Sequence, residues 1–175
     1  MAAAADPLPR PGASRAGRRN FLLGMTALGW ALAAKAAPAP AIPLAMDLQA
    51  DGRLVRRRLA PIVVLFSLPG CPYCEIVRRS HLAPLLADPK QSSRVIVRQV
   101  DIDSDEAVVG FSGERTTHAA IAKAHDVRSA PVVAFWDGEG RPIAEPLKGM
   151  LLADFYSAYL ESALQAARKR LGAPD

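Results

Sequence analysis

The chain has 175 residues, of which 50% are hydrophobic and 22% charged, so it can bury one core and is not a disordered protein. Its formal net charge of +5 would be compatible with nucleic-acid binding, but residues 1–36 hold five of the positive charges and one negative charge. The remaining chain, with 17 positive and 16 negative residues, has a net charge of +1. Composition therefore gives no electrostatic basis for a nucleic-acid partner.

The N-terminal segment has the pattern of an export signal. Arg18 and Arg19 precede an apolar stretch, residues 21–34, that is shorter than the roughly 20 residues of a membrane span. Ala34 and Ala36 are the small residues that a signal peptidase accepts. We therefore predict that residues 1–36 are a cleaved signal peptide and that the protein is periplasmic. The arginine pair followed by Asn-Phe-Leu resembles a twin-arginine signal, and a Sec-type signal is the alternative.

The first part of the mature chain predicts a linker, a helix and a buried strand. Residues 37–46 alternate proline with small apolar residues, which favours an extended and poorly ordered linker. Residues 47–59 predict a short helix weakened at Gly52. The run from Ile62 to Phe66 is continuous, apolar and β-branched, and it lies between two prolines. It predicts a central strand buried on both faces.

Two cysteines follow this strand and begin a helix. After Cys74 the apolar residues recur at helical spacing, which turns Arg78 and Arg79 outward and lets Pro84 kink the helix. The apolar positions are Ile76, Val77, His81, Leu82, Leu85 and Leu86. A second strand, residues 95–102, ends in acidic residues that we interpret as a solvated strand end and not as calcium ligands.

The C-terminal part predicts a helix, a hairpin and a last helix. Thr116 is the expected N-cap of a helix that ends near His125. Residues 131–136 predict a third strand, followed by a tight turn and a hairpin partner at residues 142–147. A terminal helix closes the domain, with an apolar face of Leu151, Leu152, Phe155, Tyr156, Tyr159, Leu160, Ala163 and Leu164. Its pattern fades at Arg168, so the predicted domain spans residues 47–168 and residues 169–175 form a disordered tail.

The chemistry of the chain is predicted to reside in Cys71-Pro72-Tyr73-Cys74. These are the two cysteines of the chain, and a structural disulfide across so short a loop would stabilise the fold very little. At the start of a helix, the sulfur of Cys71 faces unpaired backbone N–H groups and the positive end of the helix dipole, which favour a thiolate. Cys71 is therefore the predicted nucleophile, and Cys74, one turn further, the resolving thiol.

Metal binding is the alternative use of the same sulfurs. Zinc ribbons share the CxxC spacing but need further ligands, and the chain has no other cysteine. His81, His118 and His125 are candidates for completing such a site. The ordinary interpretation places His81 on the apolar face of the helix and the other two histidines on the surface.

The order of these elements resembles the thioredoxin superfamily. The resemblance covers residues 47–167 and rests on the buried strand, the cysteine turn, the segment Val127-Arg128-Ser129-Ala130-Pro131 and the helix led by Gly149. It implies an α/β thioredoxin fold with a mixed central sheet flanked by helices. It also implies a cis Ala130–Pro131 bond beside the cysteines, where the adjoining backbone binds substrate together with Pro72 and Tyr73. The insert at residues 108–113 resembles periplasmic thioredoxin-like proteins associated with sulfur oxidation, the SoxW type.

Two departures from the thioredoxin pattern concern proton transfer. Thioredoxins carry a buried acid six residues before the first cysteine, where this chain has Leu65, and the accompanying lysine corresponds to Gln99. Protons must therefore reach Cys74 through water or another group.

We predict a periplasmic thiol–disulfide oxidoreductase that exchanges disulfides with protein thiols and acts as a protein-disulfide reductase. It needs no bound cofactor beyond the Cys71–Cys74 disulfide, and a membrane electron donor would recharge it. The alternatives are a dithiol oxidase and a copper- or zinc-binding carrier of the same fold.

Overall fold

A computed structural model describes residues 41–150 and 153–174. The predicted signal peptide, residues 37–40 of the predicted linker, and Leu151 and Leu152 lie outside the described residues. Among the described residues, no helix has the length and apolar character needed to cross a membrane.

Within the described part of the chain, six strands form one mixed sheet and one small hairpin. The strands are β1 (Ile62–Ser67), β2 (Ile96–Asp101), β3 (Ala107–Val109), β4 (Arg115–Thr117), β5 (Val132–Trp136) and β6 (Leu147–Lys148). The main sheet has the order β2-β1-β5-β6, and β3 pairs with β4 separately. β1 runs parallel to β2 and antiparallel to β5. This arrangement confirms the mixed central sheet that the resemblance implies.

The helices are α1 (Leu48–Arg58), α2 (Pro72–Ile76), α3 (Ala83–Ala87), α4 (Pro89–Ser92), α5 (His118–Ala124) and α6 (Tyr156–Arg170). A π-helical segment, Val77–Leu82, joins α2 to α3, so these three pieces form one bent helix after the cysteines. Pro84 explains the bend, because it has no N–H to donate and its ring crowds the preceding turn.

The central strand β1 is buried on both faces, as its apolar run predicts. Ile62, Val64 and Phe66 face one core, which includes Val55 of α1 and Trp136 of β5. The alternate residues, Val63 and Leu65, face a second core beneath the bent helix and α6. Side chains alternate across a strand, so a strand that serves two cores is apolar on both faces.

The predicted linker is wrong for its last residues. Ile42 and Ala45 are buried, and the backbone pairs with the outer edge of β2. Ala45 N–H donates to Gln99 O at 2.8 Å, and Gln99 N–H donates to Pro43 O at 2.9 Å. The edge of β2 would otherwise expose unpaired groups, and this segment satisfies them.

Two predicted boundaries in the second half are also wrong. The N-cap of α5 is Thr117, whose side chain accepts from Ala120 N–H, whereas Thr116 pairs with Val108 in the β3–β4 hairpin. The hairpin partner of β5 is broken: it makes a bridge at Pro142 and a two-residue strand, Leu147–Lys148. Pro142 and Pro146 lack an N–H, so a continuous ladder cannot form between them.

The terminal helix differs from its prediction at both ends. It is α-helical from Tyr156, after a 3₁₀ turn at Ala153–Phe155, and it continues through Arg170. Gly172, with φ of +70°, follows the helix end, and Leu171 packs against the first core. The predicted loss of order from residue 169 therefore does not describe Lys169 to Leu171, because Leu171 is held by core packing and Gly172 ends the helix in a left-handed conformation.

Candidate active site

The cysteines lie where β1 ends and the bent helix begins. Gly70, with φ of +71°, takes the left-handed conformation in the connecting loop. Cys71 is the N-cap of α2, and Pro72 follows at the first helical turn, where a missing N–H has no cost. Cys71 and Cys74 form a disulfide with a Cα–Cα distance of 5.3 Å.

The two sulfurs differ in environment, as an attacking and a resolving cysteine should. Cys71 is partly exposed, whereas Cys74 is fully buried. The Cys74 N–H donates to Cys71 Sγ at 3.1 Å, so a backbone donor points at the sulfur that is predicted to become the thiolate. Such a donor stabilises negative charge on sulfur.

The predicted substrate-binding residues surround the same end of the sheet. Pro72 is exposed and Tyr73 is 60% exposed beside the cysteines. The Ala130–Pro131 peptide bond is cis, as the resemblance implies. Pro131 directly precedes β5, whose Val132 pairs with Phe66 of β1. The register therefore brings Ala130 and Pro131 to the edge from which the cysteine loop leaves β1.

Sequence reasoning missed the role of Arg78, which does not point outward. Its Nε donates to Gln99 Oε1 at 2.9 Å and its Nη2 to Ser67 Oγ at 3.1 Å. Its third contact is an ion pair with Glu75, which also pairs with the exposed Arg79. The spacing of Cys71, Cys74 and Arg78 is i, i+3 and i+7, which places them on one helix face and could have revealed this contact.

The departure at the family's acid position is visible in the sheet. Leu65 is fully buried and pairs with Gln99 across β1 and β2. Gln99 accepts from Arg78 and donates to Asp101 Oδ1 at 2.7 Å. At the position of the family's lysine this protein thus has Gln99 with its two polar partners, and at the position of the family's acid it has the apolar Leu65.

His118 and His125 are not the surface groups that the sequence predicted. His118 is fully buried: Asp101 N–H donates to its Nδ1 at 3.2 Å, so its Nε2 carries the proton that bonds Ala45 O at 2.8 Å. His125 stacks on Trp136 at a ring-centroid distance of 4.0 Å, and burial lowers the pKa of this histidine. Both rings fill tertiary contacts that helical periodicity does not reveal.

His81 packs on α6. Its Nδ1 lies 3.0 Å from Ser157 Oγ, and its ring contacts Tyr156 at a centroid distance of 4.6 Å. Burial lowers the pKa of His81 and raises the pKa of Tyr156 to about 12. No histidine lines the cavity beside Cys71, and the described residues contain no cluster of three or more His, Cys, Asp or Glu side chains suited to a metal ion.

These features define the class of the protein. A disulfide between the first and fourth residues of a strand-to-helix turn, on a mixed sheet flanked by helices, is the site of a thiol–disulfide oxidoreductase. The disulfide accepts two electrons when a thiolate attacks it and becomes a dithiol.

The chain belongs to the thioredoxin-like domain family, whose sequence profile matches residues 48–164. Its fold class is confirmed as the thioredoxin-like fold predicted above. No curated protein matches the chain significantly.

Solved structures similar to this chain include two thioredoxins and a thioredoxin-fold protein. Oxidised mitochondrial thioredoxin 3 from Saccharomyces cerevisiae is 18% identical, with a TM-score of 0.48, and the match covers 71% of this chain and 93% of that chain. A thioredoxin-fold protein from Helicobacter pylori is 20% identical, with a TM-score of 0.46 and coverage of 63% and 72%. A mutant thioredoxin from Halobacterium salinarum is 18% identical, with a TM-score of 0.44 and coverage of 74% and 95%.

Proposed function

We propose that the protein is a periplasmic protein-disulfide reductase in which Cys71 attacks substrate disulfides and Cys74 resolves the mixed disulfide. The observation that carries this proposal is the unequal accessibility of the two sulfurs: Cys71 is partly exposed and Cys74 is fully buried. A substrate disulfide can approach only the exposed sulfur. The buried sulfur is held within bonding distance of the first and can complete the exchange within the protein.

The surface beside Cys71 suits a protein substrate. Tyr73 is 60% exposed and Ile76 is 42% exposed, so two large apolar side chains lie one helical turn apart next to the reactive sulfur. Exposed apolar groups of this kind mark interaction surfaces. In this proposal Pro72, Tyr73, Ala130 and Pro131 form the substrate-binding surface, and the partners are protein thiols and disulfides.

The periplasmic location rests on the N-terminal sequence, where a basic region precedes a short apolar stretch and a small-residue cleavage site. In an oxidising compartment a reductase must receive electrons from elsewhere, and the proposed source is a membrane electron donor. The insert at residues 108–113, which forms part of the β3–β4 hairpin, is the feature that resembles SoxW-type proteins.

The cysteine variants test this proposal with insulin as the substrate. Cys71→Ser should abolish insulin reduction, because serine cannot supply the attacking thiolate. Cys74→Ser retains the attacking thiol and lacks the group that releases the product. It should therefore accumulate mixed disulfides with insulin, visible on non-reducing gels. Trapping by Cys71→Ser and not by Cys74→Ser would reverse the assignment, and full activity of both variants would contradict the proposal.

A redox titration of the Cys71–Cys74 pair decides the direction of transfer. A potential near that of thioredoxin, about −270 mV, supports a reductase, whereas one near about −120 mV would show the alternative function, a dithiol oxidase. The remaining alternative is a copper or zinc carrier. Retention of stoichiometric metal by the reduced wild type, and its loss in Cys71→Ser, would favour that function over the reductase.

A further inference from the structure

The sheet carries an acidic side chain close to the cysteine loop, although the family's acid position is apolar. The register of β1 and β2 pairs Leu65 with Gln99 and, one row nearer the loop, Ser67 with Asp101. Residues two apart on a strand share a face, so Gln99 and Asp101 lie on one face of β2. Arg78 donates to one residue of each pair, Gln99 and Ser67. The carboxylate thus lies one row nearer the cysteines and on the neighbouring strand.

Asp101 is held in place through its side chain and its backbone. Arg78 Nε fixes Gln99 at 2.9 Å, and the Gln99 amide in turn donates to Asp101 Oδ1 at 2.7 Å. The backbone N–H of Asp101 donates to the buried ring of His118 at 3.2 Å. These bonds fix the carboxylate relative to the helix that carries the cysteines.

A cavity lies beside both Asp101 and the Cys71 end of the disulfide. It has a volume of about 500 Å³, and its lining includes Cys71, Glu75, Arg78, Gln99 and Asp101. Cys74 Sγ is bonded directly to the sulfur of Cys71. A cavity of this size with charged and amide side chains in its lining accommodates water molecules, which can carry a proton between a sulfur and a carboxylate.

Two carboxylates line the cavity, and their partners distinguish them. Glu75 is paired with two guanidinium groups, those of Arg78 and Arg79, one on each oxygen. Within the described residues, the Asp101 carboxylate accepts one side-chain bond, from the neutral amide of Gln99 on Oδ1. Oδ2 of Asp101 is therefore the carboxylate oxygen open to a proton from the cavity.

We propose that Asp101 accepts the proton of Cys74 through water in this cavity, with Arg78 and Gln99 as positioning residues. The inference rests on the disulfide-exchange function proposed above. In the exchange, the Cys71 thiolate attacks a substrate disulfide, forms a mixed disulfide and releases one substrate thiolate. Cys74 then gives its proton to Asp101 and attacks the Cys71 sulfur. This expels the second substrate thiolate, which recovers the proton. The protein dithiol loses two electrons and the substrate disulfide gains them.

The two steps can be timed separately with an aromatic disulfide reagent. One equivalent of dithiobis(nitrobenzoate) mixed with the reduced protein in a stopped-flow instrument releases one coloured thiolate when Cys71 attacks. It releases the second when Cys74 resolves the mixed disulfide. Asp101→Asn preserves an Oδ1 acceptor for Gln99 and removes the proton acceptor. The matched control is Asp103→Asn, which changes an exposed carboxylate two residues further along the chain.

We expect Asp101→Asn to slow the second release about tenfold or more at neutral pH, in line with the loss of a general base, and to change the first release less than about twofold. The defect should shrink as pH rises, because hydroxide replaces the carboxylate. Arg78→Gln should share the defect, and Arg79→Gln and Asp103→Asn should not. A second release in Asp101→Asn as fast as in the wild type, or equal slowing of both releases, would overturn the inference. A wild type that fails to make the second release would instead refute the disulfide-exchange function itself.

Discussion

The contact between Gly52 and Gly138 determines how Gly52→Ala changes the stability of the protein. Helix propensity alone predicts that this substitution stabilises the fold, whereas the structure predicts that it destabilises the fold. Gly52 lies inside α1, where alanine is normally favoured over glycine by about 1 kcal/mol. In the fold, however, the backbone of α1 packs directly against the turn after β5. A Cβ added at Gly52 would lie 2.2 Å from the carbonyl oxygen of Gly138. A Cβ added at Gly138 would lie 2.7 Å from Gly52 O, so the two backbones are in reciprocal close contact.

The structure therefore predicts that Gly52→Ala destabilises the protein. The helix and the turn must separate by roughly 1 Å or more before that contact reaches a normal van der Waals distance. Overpacking of this kind costs about 1 to 3 kcal/mol, and the gain in helix propensity offsets about 1 kcal/mol of it. Because the contacted atom belongs to the backbone and cannot rotate away, we expect a cost near the upper end of this range and a net loss of about 2 kcal/mol, which lowers the midpoint of urea unfolding by roughly 1 M.

Urea unfolding of the oxidised protein, followed by circular dichroism, measures this loss. Ser162→Ala is the matched control, because Ser162 is exposed inside α6 and alanine there should gain a few tenths of a kcal/mol. Together the two variants separate helix propensity from packing. A Gly52→Ala protein as stable as the wild type, or more stable, would refute the argument from backbone contact.

Two further predictions concern the substrate surface and pH. Tyr73→Ala should lower kcat/KM for insulin several-fold and leave the reaction of Cys71 with a small disulfide unchanged. The control Tyr159→Ala, which removes an exposed tyrosine of α6, should change neither reaction. An equal loss of Tyr73→Ala activity with both substrates would contradict a binding role for Tyr73. Burial lowers the pKa of His125, so the unfolded state binds a proton that the folded state excludes, and stability is lost as pH falls below about 6.5. His125→Phe keeps an aromatic ring to stack on Trp136 and removes the titrating group. In urea unfolding it should lose less stability than the wild type between about pH 7.5 and pH 5.5. An equal loss would contradict the assignment of this pH dependence to His125.

The local features of this protein follow from its sequence. The apolar run of β1, the proline-led turn and the helix after Cys74 each depend on neighbours within a few residues, and all three elements are present. Within that helix the predicted faces are wrong for Ile76, which is exposed, and for Arg78, which contacts Gln99. The cis Ala130–Pro131 bond was predicted from the resemblance to the family and not from the local sequence pattern. The placement of Cys71 at a helix start needed no tertiary information.

Contacts between distant segments were decided by the tertiary structure alone. Residues 42–46 have the composition of a linker, and their pairing with β2 could not be predicted because Leu44 and Gln99 lie more than 50 residues apart in the sequence. His118 is buried between Ala45 and Asp101, and Arg78 reaches Gln99 on a strand 21 residues further along the chain. Periodicity assigns a residue to a face of its own helix or strand, but the partner on that face is set by how the elements pack. Asp101 therefore appears in the sequence as part of a solvated strand end, and the structure places it in the lining of the cavity beside Cys71.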